Sequence, residues 1–576
     1  MVSPLFKKAT NTAPGTSAIY GAPDLKYVLD ILDGTHATHR IQIQNIEGSG
    51  RSPFANWVIR MNGSTIEGIR TETGTVESSS TTNLNIVLNA ILVHASFADG
   101  DVIVIKPSAT AYTCGTGAGA GDIKVSFAKS CTIWAYGAIL SYDAAHTGGT
   151  WFEVTTAAKR LTVYGLTMLG NNNVGTFIKS TAAIDIDGIR LYDVDMVGNY
   201  SYGVYVGGPT GTAPSQTPLP TTKVIMEHCS FFNSGSGVGA VNEWVAIDSI
   251  EYCYMKDCRI DNNKLFNISA RHCNIQNIWC DTTGYSGGSG IGASTIQSEF
   301  LEVRDLHMIG IGVELRNYQN IDADSRYTTC KRMIVDGYSC IGSSGAPIII
   351  EPYNTSTLRI ENVSLRNLYL SNSGVMVRTF DSEARKSKVD IISIKDVKQL
   401  EFSSSNCCVN FSNCDCDQLV VDNVYFVASW DSTGAPVRAV SGAGTITLGK
   451  VDLRNLFPEP ANYIFKATRS NAVTATFSRP LENGITATNT ESGTDTLTVK
   501  FKENRGKATF NGGTASYDIA HSLTATPTSP VVTPSAAVAN GAFYVTADAT
   551  NITVTFSAAL TSGTNNVILN WRASAN

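Results

Sequence analysis

The sequence predicts an all-β chain: a parallel β-helix (solenoid) through the middle, with an N-terminal cap region before it and a C-terminal antiparallel β domain after it. Three observations predict this. An eight-residue pattern of apolar alternation recurs between about residues 120 and 460. Fifty glycines stand against 18 prolines amid abundant Ser, Thr and Asn, as in a turn-rich β protein. Residues 508–576 alternate apolar and polar in short runs separated by turn signals.

Composition narrows the function classes. Hydrophobic residues make up 43% of 576, enough for a large core and too many for a disordered chain. Charged residues are only 16%, and the net charge is −6 with no long Lys/Arg run, so the chain reads as having no nucleic-acid partner. No apolar stretch reaches the length of a membrane span, so no membrane insertion is expected. The start, MVSPLFKKATNTAPGTS, has no apolar core and does not read as a standard signal peptide. Thirteen cysteines, an odd number scattered through the middle, fit small core residues in a reducing compartment better than a disulfide framework.

The cap region is read over 1–118. Within it, NLNIVLNAILVHASFADGDVIVIKP (83–107) gives an amphipathic helix, a Gly turn and a strand. A helix there would cover the open end of the first coil against edge-to-edge pairing. Asp24 to Leu32 reads as a second short helix with Asp24 as its N-cap.

The solenoid is read over 119–462. Its octad runs apolar, any, apolar, any, bend, apolar, any, apolar. Copies are LTVYGLTM (161–168), IRLYDVDM (189–196), VIMEHCSF (224–231), CYMKDCRI (253–260), ISARHCNI (268–275) and LEVRDLHM (301–308). Further copies are MIVDGYSC (333–340), LRIENVSL (358–365), LVVDNVYF (419–426) and ITLGKVDL (446–453), with CTIWAYGA (131–138) and ISIKDVKQ (392–399) weaker. The fifth position is Gly165, Asp193, Asp257, Asp305, Gly337, Asn362, Asp396 or Asn423 in eight of the twelve. These residue types tolerate the left-handed conformation, so the chain can turn while its apolar side stays inward. Each unit has too little apolar surface to stand alone and must stack on its neighbours. Starts are mostly 25 to 35 residues apart, with one step of 15 between 253 and 268.

After about 460 the octad fades. Residues 463–507 read as a connecting β segment and 508–576 as the separate antiparallel domain, a trimerisation element or receptor-binding tip.

The cap helix followed by GDVIVIKPSATAY (100–112) resembles the entry to the β-helix in tailed-bacteriophage tailspikes and their pectate-lyase-like, right-handed β-helix relatives. The class's common aromatic-Gly-Ala-x-Gly-Asp-Gly entry signature is missing, with SAIYGAPDLKYV (17–28) a degenerate echo of it. The C-terminal GTASYDIAHSLTATPTSPVVTP (513–534) and NVILNWRA (566–573) resemble a terminal β domain of viral fibres and tailspikes, through His521, Leu523 and Pro527. The resemblance implies a right-handed solenoid in a homotrimeric virion appendage of the phage tail, assembled in the host cytoplasm. It further implies an N-terminus bound to other virion tail proteins, and a solenoid that recognises and depolymerises a bacterial surface polysaccharide, capsule or O-antigen, by glycosidic cleavage. A non-enzymatic adhesin and a polysaccharide lyase working by β-elimination are the alternatives. No cofactor is implied.

Extended glycans lie along outward faces of stacked coils, which directs attention to aligned outward residues. GVELRNY (312–318), GAPIIIEPY (345–353) and GVMVRTF (374–380) align when Ile348 and Ile350 are set beside Val313 and Leu315 and beside Val375 and Val377. Arg316, Glu351 and Arg378 then share one outward row; Tyr318, Tyr353 and Phe380 share the next; Glu314 points out one step earlier beside Ile349 and Met376. Aromatic faces stack on pyranose rings, Arg pairs with acidic sugars, and Glu314 with Glu351 is a candidate glycosidase pair. The other reading is a charge ladder on stacked strands. Asp322 and Asp324 in NIDADSR (320–326) read as loop carboxylates at the rim, catalytic or merely turn-forming. Glu243, Asp248 and Glu251 beside Trp244 are a reserve set. CCVNFSNCDC (407–416) lacks the paired spacing of a zinc site, so no metal is expected. His228 and His272 are read as bend residues, and DTTGYSGGSGIGAS (281–294) as a long surface loop.

Overall fold

The computed structural model describes residues 55–575 apart from 116–123, 143–148, 182–183, 208–218, 233–242, 262–265, 282–293, 311, 318, 323–324, 328, 342–346, 353–358, 372–373, 379–386, 400–406, 413, 427–436, 441–445, 458–464, 469–472, 478–487, 491–496 and 536–541. The chain is all-β with a parallel solenoid and a separate antiparallel region near the C-terminus, as the sequence predicts. It divides into two compact units, Met1–Pro209 with Leu219–Ala246, and Thr210–Pro218 with Ile247–Asn576.

The described part of the first unit begins with strands. β1 (Trp57–Asn62), β2 (Thr65–Arg70) and β3 (Thr75–Ser80) form an antiparallel meander. The β1–β2 turn needs only Gly63 and Ser64, and Gly63 sits at φ +62, where a side chain would be strained. The helix of 83–107 follows as α1 (Leu84–Val93), whose N-cap Asn83 accepts from the Asn85 N–H. Leu84, Val87, Leu88, Ile91 and Leu92 are buried. Gly68 of β2 makes room for them: a Cβ there would meet Val87 Cγ1 at 2.8 Å. The second expected helix, 24–32, lies outside the described residues. Behind α1 a parallel ladder climbs from Asp101–Ile105 to Cys131–Tyr142, Arg160–Ser180, Gly188–Tyr192 and Leu219–Glu227. Ile103, Ile133, Val163, Leu191 and Met226 stack as its buried inward column, each worth about 1.5–3 kcal/mol of burial.

The second unit carries two parallel ladders. Long strands Phe266–Asp281, Phe300–Ile309, Arg332–Ile341, Ile360–Leu370, Ser387–Gln399, Cys414–Phe426 and Ile446–Phe457 pair in succession. Short strands Ser294–Ser298, Val313–Asn317, Ile348–Glu351, Val375–Arg378, Val409–Ser412 and Val437–Val440 form the other. Each long strand bends at a residue with φ near +50° to +75°: Asn277, Asp305, Gly337, Asn367, Asp396, Asn423 and Asn455. Three octads on these strands are therefore out of phase, and in the first unit CTIWAYGA bends at Gly137 rather than at Ala135. The bend lies at Asn367 rather than Asn362, at Asn277 rather than His272, and at Asn455 rather than Lys450. The segments that pair in register are CNIQNIWC (273–280), VSLRNLYL (363–370) and VDLRNLF (451–457). The anomalous step of 15 becomes one of 20, from 253 to 273.

Beyond the ladders lie two three-stranded antiparallel sheets. Glu503–Gly512, Gly563–Ser574 and Val531–Pro534 make one; Ser516–Ala520, Asn551–Phe556 and Phe543–Ala547 make the other. His521 is fully buried between them in sequence, its Nδ1 accepting the Leu523 N–H at 3.0 Å, while Nε2 lies 3.0 Å from the Asp548 carbonyl oxygen. The described cysteines of CCVNFSNCDC are buried; burial pushes the Cys416 thiol up to about 12 and those of Cys408 and Cys414 well above the ordinary value. They pack as small apolar residues.

Candidate functional site

The short-strand ladder places the charged row where the sequence alignment puts it. Glu314 pairs with Ile349 and Arg316 with Glu351, and Ile349 and Ile350 pair with Met376 and Val377, so Arg378 lies beside Glu351. Between these outward positions Leu315, Ile350 and Val377 are fully buried, as period-two alternation requires. Val313 pairs with Ile348, the register that the sequence alignment of these segments assumes.

The four charged side chains close into a ring. Arg316 donates through Nη2 to Glu314 Oε2 at 2.5 Å and through Nε to Glu351 Oε2 at 2.6 Å. Arg378 donates through Nε to Glu351 Oε1 at 2.7 Å and through Nη2 to Glu314 Oε1 at 3.1 Å. Every carboxylate oxygen of the pair thus accepts a guanidinium N–H. Glu351 is 1% exposed and Glu314 8%, whereas the Arg378 side chain is 38% exposed. Outward by register, the carboxylates are nonetheless sealed, and Arg378 is the member that reaches solvent. Its Nη1 takes no part in the ring bonds.

Register also brings in residues that the sequence reading passed over. Gln297 precedes Arg316 in its row, and Asn410 follows Met376 in the row of Glu314. Gln297 Oε1 and Asn410 Oδ1 are buried with no hydrogen-bond partner, one rung to each side of the ring. Only strand pairing could reveal them, because neither belongs to an octad.

The remaining candidates separate. Tyr318, Tyr353, Phe380 and Asp324 lie outside the described residues. Asp322 ends the strand Gln319–Asp322, which pairs antiparallel with Ser325–Tyr327, so the described residues of NIDADSR lie on two paired strands where a loop is expected from sequence. In the reserve set, Glu251 lies 3.7 Å from His272 Nε2 and 3.8 Å from Arg271 Nη1, and Asp248 Oδ1 accepts from the Ser249 hydroxyl. Arg271 and Lys331 hold Glu299 at 2.8 and 3.0 Å. His228 occupies a bend at φ 54, but His272 sits in a strand and stacks on Phe300 at 4.8 Å. Among the described residues no group of three His, Cys, Asp or Glu side chains is placed to hold a metal ion, and no helix is long and apolar enough to cross a membrane.

No protein-family model matches the sequence, and no curated protein matches it. Solved tailspike proteins of E. coli bacteriophage HK620 are structural neighbours. A double mutant of that tailspike aligns at TM-score 0.43 and 11% identity over 85% of this chain and 90% of that one. A mutant solved in complex with a hexasaccharide aligns at TM-score 0.40 and 11% identity over the same shares. Another mutant aligns at TM-score 0.39 and 10% identity over 88% and 92%. At these levels the chemistry of the site has to be read from its own side chains.

Proposed function

We propose that this chain is a bacteriophage tail spike that binds a bacterial surface polysaccharide through the face of the short-strand ladder around Arg378. The observation that carries the reading is the closed ring. Two glutamates saturate their four oxygens on two guanidiniums and so fix the orientation of Arg378, whose free Nη1 end is a preorganised donor for sugar hydroxyl or carboxylate oxygens. Tyr318, Tyr353 and Phe380, two residues beyond the charged row in sequence, would supply stacking faces. The phage assignment rests on the terminal-domain resemblance at His521, Leu523 and Pro527.

In the same proposal residues 1–118 attach to other virion tail proteins, 119–462 bind the glycan, 463–507 connect, and 508–576 hold a homotrimer or form a receptor tip. Depolymerisation is the finer reading, with Glu314, Glu351, Asp322 and Asp324 as candidate carboxylates. The saturation of Glu314 and Glu351 by arginine favours positioning over acid–base work for that pair, and leaves Asp322 and Asp324 as the candidates for cleavage.

Glu351→Gln separates the two roles when binding to capsular polysaccharide and the size of the released product are measured together. A positioning role predicts weakened binding, because Arg378 loses its anchor. A catalytic role predicts intact binding with product release lost by orders of magnitude.

A further inference from the structure

Five of the large hydrophobic side chains exposed on this protein lie on the outward side of the long-strand ladder: Trp279, Ile341, Ile391, Tyr425 and Phe457. Register organises them further. Trp279, Tyr369, Tyr425 and Phe457 belong to one row, the second position after each bend, with His307, Ser339 and Lys398 filling the intermediate rungs. The row spans six rung spacings, about 29 Å. Its largest members are open: Trp279 is 44% exposed, Tyr425 52% and Phe457 51%. The rungs between are joined by contacts along the row. Trp279 packs on the His307 ring at 5.7 Å, His307 Nδ1 lies 2.8 Å from Ser339 Oγ, and Lys398 Nζ sits 5.7 Å from the centre of the Tyr369 ring.

We propose that this row is a second polysaccharide-binding line, on a different ladder from the Arg378 site, along which a glycan chain runs rung by rung with its pyranose faces on the aromatic rings. What borders the row decides the occupant. At the bends beside it an amide–carboxylate ladder runs up the same edge: Asn277 donates to Asp257 Oδ1, Asn367 to Asp336, Asn423 to Asp396 and Asn455 to Asp422, at 2.6 to 2.8 Å. Protein–protein interfaces enrich aromatics but deplete Asp at their core. A row of aromatic rings spaced by Ser339 and Lys398 and fringed by carboxylates and amides matches a ligand with apolar ring faces and hydroxyls around its edge. A large apolar patch on a soluble protein marks an interaction surface, and this fringe selects a carbohydrate for it over a second copy of the chain. The inference rests on the polysaccharide reading above and adds a separate site to it.

The test uses the full chain and surface-immobilised bacterial capsular and O-antigen polysaccharides, with affinity and sedimentation measured side by side. The variant is Trp279→Ser/Tyr425→Ser/Phe457→Ser, exposed positions whose loss leaves the inward stack intact. The expected result is an affinity for intact polysaccharide lowered about tenfold or more, with unchanged melting and unchanged sedimentation. A quench of Trp279 fluorescence by oligosaccharide, absent in Trp279→Ser, would support the same conclusion. Wild-type affinity in the triple variant overturns this line while leaving the Arg378 site standing. A triple variant that sediments as a smaller species overturns it too, assigning the row to a subunit contact. A wild-type chain that binds no polysaccharide overturns the function itself and this line with it.

Discussion

Ion pairs on this molecule differ in what they do according to how much water they exclude. Glu299, 6% exposed, shows the buried case. Burial alone would push its carboxyl up, but the Arg271 and Lys331 charges beside it more than offset this and hold it below its ordinary value of 4.5. Glu153 behaves alike: burial opposes, while Lys124, Lys179 and Thr181 prevail. A carboxylate with a lowered folded pKa contributes stability that is complete above its unfolded value and is lost as pH falls through the folded one. Acid unfolding should therefore steepen below about pH 4.5. Glu299→Gln should flatten that acid limb in a denaturant titration repeated across pH; an unchanged pH slope would show that the Arg271–Glu299–Lys331 bridge adds nothing.

Among the elements, the bent long strand repeats most faithfully, and it also shows how far sequence reading reaches. Eight copies are in phase because a bend residue and its flanking apolars coincide in them, as at Asp305 between Val303 and Leu306. The three shifted copies fail for one physical reason: the chain alternates through the corner without a polar break. Ile268 already belongs to the short-strand ladder opposite Ile296, yet Ile268, Ala270, Cys273 and Ile275 are all buried and fit an octad five residues early. Ile360 and Ile446, buried ahead of the corner, mislead at the next two shifted copies. The slip hid Trp279, Tyr369 and Phe457, which fall outside the misphased octads and so never lined up. The Arg316–Glu351–Arg378 row was legible because apolar triplets fixed its register; that its glutamates are sealed was not, since burial depends on what surrounds the strand. At a bend, side-chain chemistry should decide tolerance. Both substitutions at Asn423, at φ 55, forfeit its bond to Asp396; Asn423→Gly should cost no more than that, while Asn423→Val should lose about a further 1–2 kcal/mol from left-handed strain. Equal midpoints for the two variants in urea unfolding would refute that account of the bend.

On the scale of the whole molecule, the C-terminal antiparallel sheets are, with the β1–β3 meander, a part that parallel stacking does not explain. Their topology changes at Glu503, and the buried His521 is held by the Leu523 N–H and the Asp548 carbonyl. In the proposed assembly this region joins three chains. Light scattering should give three times the 61.5 kDa chain mass at micromolar concentration, and truncation near residue 505 should release monomers. A monomeric full chain would remove the trimer, and a truncated trimer would move the contact to the solenoid.

The central claim is that the outward face around Arg378 holds a bacterial surface polysaccharide. Its most direct measurement is the affinity of wild-type chain and Arg378→Ala for a panel of immobilised capsular and O-antigen polysaccharides, with melting followed in parallel to confirm that the ladder persists. The account predicts that the wild type is retained by at least one polysaccharide, and that the variant, still folded, binds it about tenfold or more weakly. A wild type retained by none, or a folded Arg378→Ala that binds as tightly as the wild type, would contradict it.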